Sequence, residues 1–273
     1  MRSRVFLFFA SMFITAGLAA QTTALWLFDE QAGVYPSAVL NDASENDFPL
    51  VIGPGGMLVP GKFGNALDAV DQPEIVVPGG EREFGLEKVP VPEGRTVEPI
   101  TWFNAHFCAL MTGGENHIRN EVGFRRPTHS KLNLGDFDWT VEFWYRGMRE
   151  PDNDGVVFET GTGPRGENSK ITALLLNADL QGFTLINAPS GSEVRIPSDP
   201  KALKPGSGKW HHMAFTYSAG EMQLRHYVNG RLQKLPGKAG VTALEAGDED
   251  YMTIGRDSRW KRPLQGMIDE LRF

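Results

Sequence analysis

Two tryptophans outside the predicted strands carry the chemistry expected of a sugar-binding surface. Trp260 follows Arg259 and lies three residues after Asp257, and Trp102 lies in another irregular stretch. Sugar rings stack on flat aromatic faces, and sugar hydroxyls bind planar polar side chains such as those of Asp and Arg. We therefore predict a glycan-binding surface formed by Trp260, Arg259, Asp257 and Trp102. The competing interpretation is that Trp260 only packs a loop against the edge of a sheet.

Other residue types that could do chemistry are less informative. His211 and His212 are adjacent, so on a strand they face opposite sides of the sheet and cannot both ligate one zinc ion. Cys108 is the only cysteine, which rules out an internal disulfide, and its apolar neighbours favour burial of the thiol. Aromatic side chains in strands more often belong to the core. This interpretation covers the remaining four tryptophans, Trp26, Trp139, Trp144 and Trp210.

The elements that must position these residues are strands, and the clearest of them lie between residues 210 and 233. Alternation along 222–228 predicts a half-buried strand with one face formed by Met222, Leu224, His226 and Val228. Asn229-Gly230 predicts a two-residue type I′ hairpin, because both residues tolerate positive φ. The preceding strand, 210–217, is apolar or aromatic on both faces and is typical of an inner strand of a two-sheet sandwich.

Further strand-like runs are separated by Gly, Pro, Asn and Asp clusters at hairpin spacing. Residues 29–54 are interpreted as loops, and 71–131 as a long elaborated segment within the domain. A dozen or more strands predict an all-β fold, a two-sheet antiparallel jelly-roll sandwich. Besides the strands between residues 210 and 233, the predicted strands are 25–28, 65–70, 75–77, 106–110, 137–146, 155–159, 171–177, 182–187, 193–196, 251–254 and 265–273.

The N-terminus and the net charge limit the possible cellular location of the protein and its possible partners. Residues 1–20 have the basic start, the apolar run and the small final residues of a signal peptide. Residues 21–273 suit a single all-β domain, and no later segment is long and apolar enough to cross a membrane. Without Arg2 and Arg4 the charge is 25 − 34 = −9, against −7 for the whole chain. This acidity disfavours a nucleic-acid partner.

Six stretches, in chain order, carry a family resemblance. They are Leu25-Trp-Leu-Phe-Asp-Glu30, Pro60-Gly-Lys-Phe-Gly-Asn-Ala-Leu-Asp68, Phe137-Asp-Trp-Thr-Val-Glu-Phe-Trp-Tyr145, Trp210-His-His with its Tyr-Val-Asn-Gly230 hairpin, Thr253-Ile-Gly-Arg256 and Gly266-Met-Ile-Asp-Glu-Leu-Arg-Phe273. Together they resemble the laminin-G-like jelly-roll domain of the concanavalin A-like lectin/glucanase superfamily. The resemblance runs from about residue 24 to the last residue and implies the same fold, but ligands differ between family members.

The superfamily includes glucanases, so the resemblance raises the question of hydrolysis. Those enzymes carry two carboxylates on one strand face, and their Glu-x-Asp-x-x-Glu pattern is absent here. Glu142 stands alone on its strand, while Asp269 and Glu270 are adjacent and face opposite sides. The Gln-x-His strand and the terminal Tyr-Lys motif of jelly-roll lyases are also missing. We predict no catalytic residues.

The resemblance also implies one structural Ca²⁺. Family members often hold the ion where the first and last strands meet, with a late Asp and backbone carbonyls as ligands. Asp269 matches that late position, with Asp29 or Asp42 as early companions, and hard oxygen ligands are what Ca²⁺ requires. Two other acidic turns, 152–155 and 248–250, are interpreted as polar hairpin tips.

The sequence therefore predicts an exported, non-catalytic binding module, secreted, periplasmic or at the cell surface. Its predicted partner is an extracellular glycan. The alternative is a protein–protein adhesion or structural module that contacts a cell-surface protein. A divergent polysaccharide-active enzyme is the less favoured third possibility.

Overall fold

The computed structural model describes residues 22–30, 39–46, 50–51, 57–70, 109–113, 132, 134–162, 170–244, 250–257 and 262–273. The predicted signal peptide at 1–20, the predicted strand at 75–77 and most of the segment 71–131 lie outside the described residues. The described part of the chain forms β1 (Leu25–Trp26), β2 (Val39–Leu40), β3 (Leu50–Val51), β4 (Met57–Pro60), β5 (Asn65–Asp68), β6 (Ala109–Gly113), β7 (Trp139–Gly147), β8 (Gly155–Thr162), β9 (Lys170–Leu176), β10 (Gly182–Asn187), β11 (Ser192–Pro197), α1 (Pro200–Leu203), β12 (His211–Ser218), β13 (Gln223–Val228), β14 (Arg231–Leu232), β15 (Asp250–Ile254) and β16 (Gly266–Arg272).

These strands form two antiparallel sheets. The front sheet has the order β14-β13-β12-β7-β16-β5-β4, and β1 also pairs with β16. The back sheet has the order β11-β10-β9-β8-β15-β6-β3-β2. Each sheet contains eight of the described strands, and helix is limited to the four residues of α1 in this part of the chain. The predicted all-β, two-sheet jelly-roll sandwich is confirmed.

The inner faces of the two sheets enclose one large apolar core. Phe143 of β7 and Phe215 of β12 stack with their ring centroids 6.1 Å apart. Phe183 of β10 meets Phe215 edge-on at 5.0 Å, so aromatic contacts join the front sheet to the back sheet. Burying each such side chain contributes about 1.5–3 kcal/mol to the free energy of unfolding.

The predicted hairpin is confirmed in its details. Asn229 has a φ of 49° and Gly230 a φ of 75°, and Val228 pairs with Arg231 across the two-residue turn. Leu224, His226 and Val228 face the core, as the alternation predicts. Met222 does not: it is 46% exposed and has a φ of 52°, because it belongs to the turn before β13.

Residues 29–54 were predicted to be loops, and this is wrong at two places. The backbones of β2 and β3 pair with each other, with Val39 opposite Val51, and Val51 also pairs with Leu110 of β6. A two-residue strand is too short to show any periodicity, so such pairing depends on the neighbouring strands that accept it.

Candidate functional site

The outer face of the front sheet carries an aromatic side chain that the sequence interpretation assigned to the core. Along β7, Val141, Phe143 and Tyr145 are buried, so the alternate positions point outward. Trp144 is one of these outward residues and is partly exposed. The core prediction is thus confirmed for Trp26 and Trp139, which are 0% and 9% exposed, and is wrong for Trp144. It is also wrong for Trp210, which lies just before β12, is partly exposed and does not belong to the buried core.

A turn between β4 and β5 brings two more side chains to Trp144. The ring of Phe63 lies edge-on to Trp144 at a centroid distance of 5.7 Å. The Nζ atom of Lys62 lies 5.1 Å from the Trp144 ring and 5.2 Å from the Phe63 ring, within cation–π range. Phe63 is 46% exposed, an unusual state for a phenylalanine. The turn thus extends the exposed aromatic surface of the strand.

Two glycines allow this turn to lie so close to the sheet. Gly64 has a φ of 57°, and a Cβ there would lie 1.9 Å from Asp29 Oδ1. A Cβ on Gly61 would lie 2.7 Å from Asp269 Oδ2. Only glycine meets both conditions without strain.

Two carboxylates hold the turn in place. Asp269 Oδ2 accepts hydrogen bonds from the backbone N–H groups of Lys62 at 2.7 Å and Phe63 at 2.9 Å. Asp29 Oδ1 accepts from the N–H of Asn65 at 3.0 Å. Asp269 lies opposite Trp144 in the β16–β7 register and is 0% exposed. This burial raises the pKa of Asp269 to about 6, against the lowering effect of its hydrogen bonds from Phe63 and Lys62.

A polar network borders the aromatic surface on the same face. His212 lies opposite Trp144 in the β12–β7 register, with ring centroids 5.2 Å apart. Glu142 Oε2 lies 3.5 Å from His212 Nε2, and Glu142 Oε1 accepts a 3.2 Å hydrogen bond from Arg272. The guanidinium of Arg272 also donates to Thr22 Oγ1. The His212 hydrogen bond, with further contributions from the His212 and Arg272 charges, lowers the pKa of Glu142 and so keeps it ionised.

We call this surface the Trp144 platform; its residues are Trp144, Phe63, Lys62, His212, Glu142 and Arg272. Its chemistry is that of a stacking surface edged by hydrogen-bonding groups. Lys62 makes no ion pair within the described part of the chain. Arg146, the next outward residue on β7, has a buried Nε without a hydrogen-bond partner among the described groups. Among the described residues, no carboxylate forms an ion pair with either of these two cations beside the aromatic rings.

The structure describes one of the four predicted sugar-binding residues. Asp257 is 8% exposed, and its Oδ2 lies 3.9 Å from Arg262 Nε. Trp260, Arg259 and Trp102 lie outside the described residues, so their role stays a prediction.

The predicted calcium ligands occupy two different places. Asp269 and Asp29 both contact the turn between β4 and β5, as described above. Asp42 instead accepts hydrogen bonds from Leu25 N and from Ser44, and its backbone forms a bridge with Trp26. Asp269 Oδ1 is buried and has no hydrogen-bond partner in the described part of the chain. A buried carboxylate oxygen of this kind fits a Ca²⁺ ligand.

No group of three or more His, Cys, Asp or Glu side chains within the described ranges is placed to hold a metal ion. The calcium site implied by the sequence would also use backbone carbonyl ligands, and a grouping of side chains alone does not reveal such ligands. Calcium binding by Asp269, Asp29 and Asp42 therefore stays a prediction.

Sequence reasoning missed the platform, although two signals for it were present. Buried residues at 141, 143 and 145 place residue 144 on the opposite face by alternation alone. The two glycines of Gly61-Lys-Phe-Gly64 also mark a turn, and turns lie mostly on the surface. What could not be predicted is that the two aromatic residues, 81 positions apart in sequence, would come into contact.

Several solved structures share this fold. Domain 4 of AbnA, an extracellular arabinanase of Geobacillus stearothermophilus solved with arabinotriose, aligns with a TM-score of 0.50 and 17% identity, over 92% of this chain and 91% of that one. The binding domain of Paraclostridial Mosquitocidal Protein 1 aligns with a TM-score of 0.50 and 12% identity, over 92% of this chain and 48% of that one.

Botulinum neurotoxin type C, in a structure concerned with two ganglioside molecules, aligns with a TM-score of 0.50 and 11% identity, over 92% of this chain and 47% of that one. The chain thus spans about half the length of the mosquitocidal protein chain and of the neurotoxin chain that it matches. At such low identities the likeness shows the fold alone. No curated protein sequence matches the chain significantly.

Within the described residues, no helix is both long and apolar enough to cross a membrane. The sequence profile of the laminin-G-type family described as the concanavalin A-like lectin/glucanases superfamily matches residues 125–273, more than half of the chain. This chain belongs to the concanavalin A-like lectin/glucanases superfamily.

Proposed function

We propose that this protein is an exported, non-catalytic module that binds an extracellular glycan on the Trp144 platform. The observation that carries the proposal is the contact between the partly exposed ring of Trp144 and the exposed ring of Phe63, with hydrogen-bonding groups around them. A sugar ring would stack on the aromatic surface, while its hydroxyls would bind Glu142, His212 and Arg272. The arabinotriose complex of a domain with the same fold supports a carbohydrate ligand.

The positive charges of Lys62 and Arg146 favour one class of glycan over another. Lys62 lies over both rings, and Arg146 follows Trp144 on the same face of β7. A glycan with uronic acid, sialic acid or sulfate groups would neutralise these charges, while a neutral glycan would not. We therefore expect acidic glycans to bind more tightly than neutral ones of the same length, and to lose this advantage in high salt.

Glu142 in the platform and Asp269 beneath it support binding rather than hydrolysis. A glycosidase needs two carboxyl groups that both reach the scissile bond. Glu142 is held by His212 and Arg272, and Asp269, whose raised pKa would suit a general acid, is fully buried beneath the turn. The purified protein is expected to leave polysaccharides intact. New reducing ends or unsaturated products would contradict this part of the proposal.

Export and calcium complete the proposal. Residues 1–20 have the pattern of a signal peptide, which is consistent with a partner outside the cytoplasm. The proposed Ca²⁺ would be structural, with Asp269 Oδ1 as one ligand; the ion would supply charge compensation for a buried carboxylate next to the platform.

A glycan array with the mature chain tests the binding function, followed by titration calorimetry with the best ligand. Trp144→Ala is expected to weaken binding by about 1–2 kcal/mol, a rise in Kd of about 5- to 30-fold, because one stacking face is lost. The matched control is Leu232→Ala, which removes a 50% exposed side chain from β14 on the same sheet. Equal affinity of the Trp144 variant and the wild type would refute the site, and silence on the array would refute the function.

A further inference from the structure

The outer face of the back sheet carries an open groove of about 540 Å³ that the proposed glycan site does not use. It lies at the turn between β9 and β10, on the opposite side of the sandwich from the Trp144 platform. The described residues that line it are almost all polar: Asp154, Asn177, Ala178, Asp179, Thr184, Glu193 and Arg195.

The turn that forms one wall is held by backbone contacts. Asn177 N donates to Gly182 O at 3.0 Å, and Leu180 N donates to Asn177 O at 2.9 Å. Asp154 Oδ1 accepts from Ala178 N at 2.7 Å, which fixes the segment before β8 against the turn. The groove is therefore preformed rather than an open stretch of flexible chain.

Two of the lining side chains that carry hydrogen-bond donors, Arg195 and Asn177, already donate to neighbouring groups. The guanidinium of Arg195 pairs with Asp179 Oδ2, and Asp179 Oδ1 accepts from Gln181 N at 3.0 Å. The side-chain amide of Asn177 donates to Thr184 Oγ1 at 2.6 Å. What these contacts leave available to a ligand is mainly acceptor oxygen.

The decisive group is Asn177. Asn177 is 5% exposed, and its side-chain Oδ1 has no hydrogen-bond partner within the described part of the chain. Leaving such an acceptor unsatisfied costs stability, so a donor supplied by a ligand would bind there favourably. Glu193 is exposed on the same wall and makes no ion pair with a described residue. Three carboxylates against one guanidinium leave the lining with a formal charge of −2.

We propose that this groove binds an arginine or lysine side chain presented by a partner protein. A guanidinium or ammonium group is cationic and offers only donors, which matches free acceptors and a negative charge. A neutral sugar would leave the charge uncompensated, and the described lining has no aromatic ring on which it could stack. A metal ion fits poorly, because the described carboxylates do not gather in a group of three. The domain thus has a glycan surface on one sheet and a basic-peptide site on the other.

The test is an NMR titration of the mature protein with the peptide acetyl-Gly-Arg-Arg-Gly-amide. We expect saturable shifts of the Asn177 side-chain amide and of the backbone amides at 177–179. The same peptide with citrulline, an uncharged analogue of arginine, should not bind. Glu193→Gln should raise the Kd at least about threefold, while Glu221→Gln, which removes an exposed acid paired with Arg225, should leave it unchanged.

Three outcomes would overturn the proposal. One is no shift at about 10 mM peptide in a folded sample. Another is equal binding of the citrulline peptide. The third is a shift of Asn177 by Ca²⁺ or by a neutral oligosaccharide but not by the arginine peptide. Trp144→Ala should leave peptide binding unaltered, so failure of the glycan proposal and failure of this one are independent.

Discussion

Acid should destabilise this protein through His226, a histidine buried between the two sheets. His226 is 1% exposed, stacks on Phe215 at 4.3 Å and meets Phe183 edge-on at 5.3 Å. Its Nδ1 donates to Ala214 O at 3.2 Å, and its Nε2 accepts from the Ser198 hydroxyl at 2.9 Å. The neutral ring is thus satisfied, whereas a charged ring would be buried among apolar groups.

The size of this effect on the free energy of unfolding follows from the pKa of His226. Burial lowers the pKa of His226 from 6.5 to about 4. The unfolded chain therefore takes up a proton as the pH falls through 6.5, while the folded protein does not until about pH 4. A difference of about 2.5 units corresponds to about 3 kcal/mol of free energy of unfolding, present above pH 6.5 and lost by pH 4. Asp269 acts in the opposite direction, because its raised pKa means that the folded state binds a proton near pH 6.

Urea unfolding at several pH values, compared with a variant, isolates this effect. His226→Gln is expected to be less stable at pH 7 but to lose less stability between pH 6.5 and 4 than the wild type. His212→Gln, on the outer face of the adjacent strand, should retain the wild-type acid sensitivity. An NMR titration provides a second readout on the wild type alone. A folded-state pKa of His226 near 6.5, or equal acid slopes for wild type and His226→Gln, would refute the reasoning.

The remaining predictions concern the turn and the metal. Gly64→Ala should lower the free energy of unfolding by about 2–4 kcal/mol, because it combines a positive φ with a clash against Asp29. Gly230→Ala, which has the same sign of φ but open space around it, should lower it by only about 1 kcal/mol. Equal losses of the two variants in urea unfolding would contradict this prediction. At a calcium concentration of 100 Kd, chelation should lower the Tm by about 5–10 °C, and Asp269→Asn should abolish that difference. An unchanged melt with chelator would dispose of the calcium site.

The platform explains why the two turn carboxylates matter even apart from calcium. Asp269 and Asp29 bind backbone N–H groups of a turn whose side chains form half of the aromatic surface. Loss of Asp269 would leave two part-buried N–H groups unsatisfied, and loss of either carboxylate would release the turn that holds Lys62 and Phe63 against Trp144. Residues that look like metal ligands in the sequence are therefore also positioning residues for the proposed glycan site.

Much of the fold could be predicted because strand periodicity and turn chemistry are local properties. The Asn229-Gly230 hairpin followed from the positive φ that both residues tolerate, and the buried face of β13 followed from alternation. The short strands β2 and β3 could not be predicted, since two residues define no period. Trp144 was misassigned because its residue type was given more weight than the alternation along β7, which places it on the face opposite Phe143 and Tyr145.

The sequence by itself determined the all-β class, the positions of the main strands along the chain and the family landmarks. These depend on residue type and spacing within a few positions of the chain. The tertiary structure alone decided which residues meet. The contact of Phe63 with Trp144, the hydrogen bonds that Asp269 accepts from a turn about 200 residues away and the grouping of Asp154, Asn177 and Glu193 in one groove all depend on sheet order and register. The hydrophobic pattern of a strand specifies which of its faces is buried. It does not specify which strands far apart in sequence pair, because that depends on the packing of the whole core.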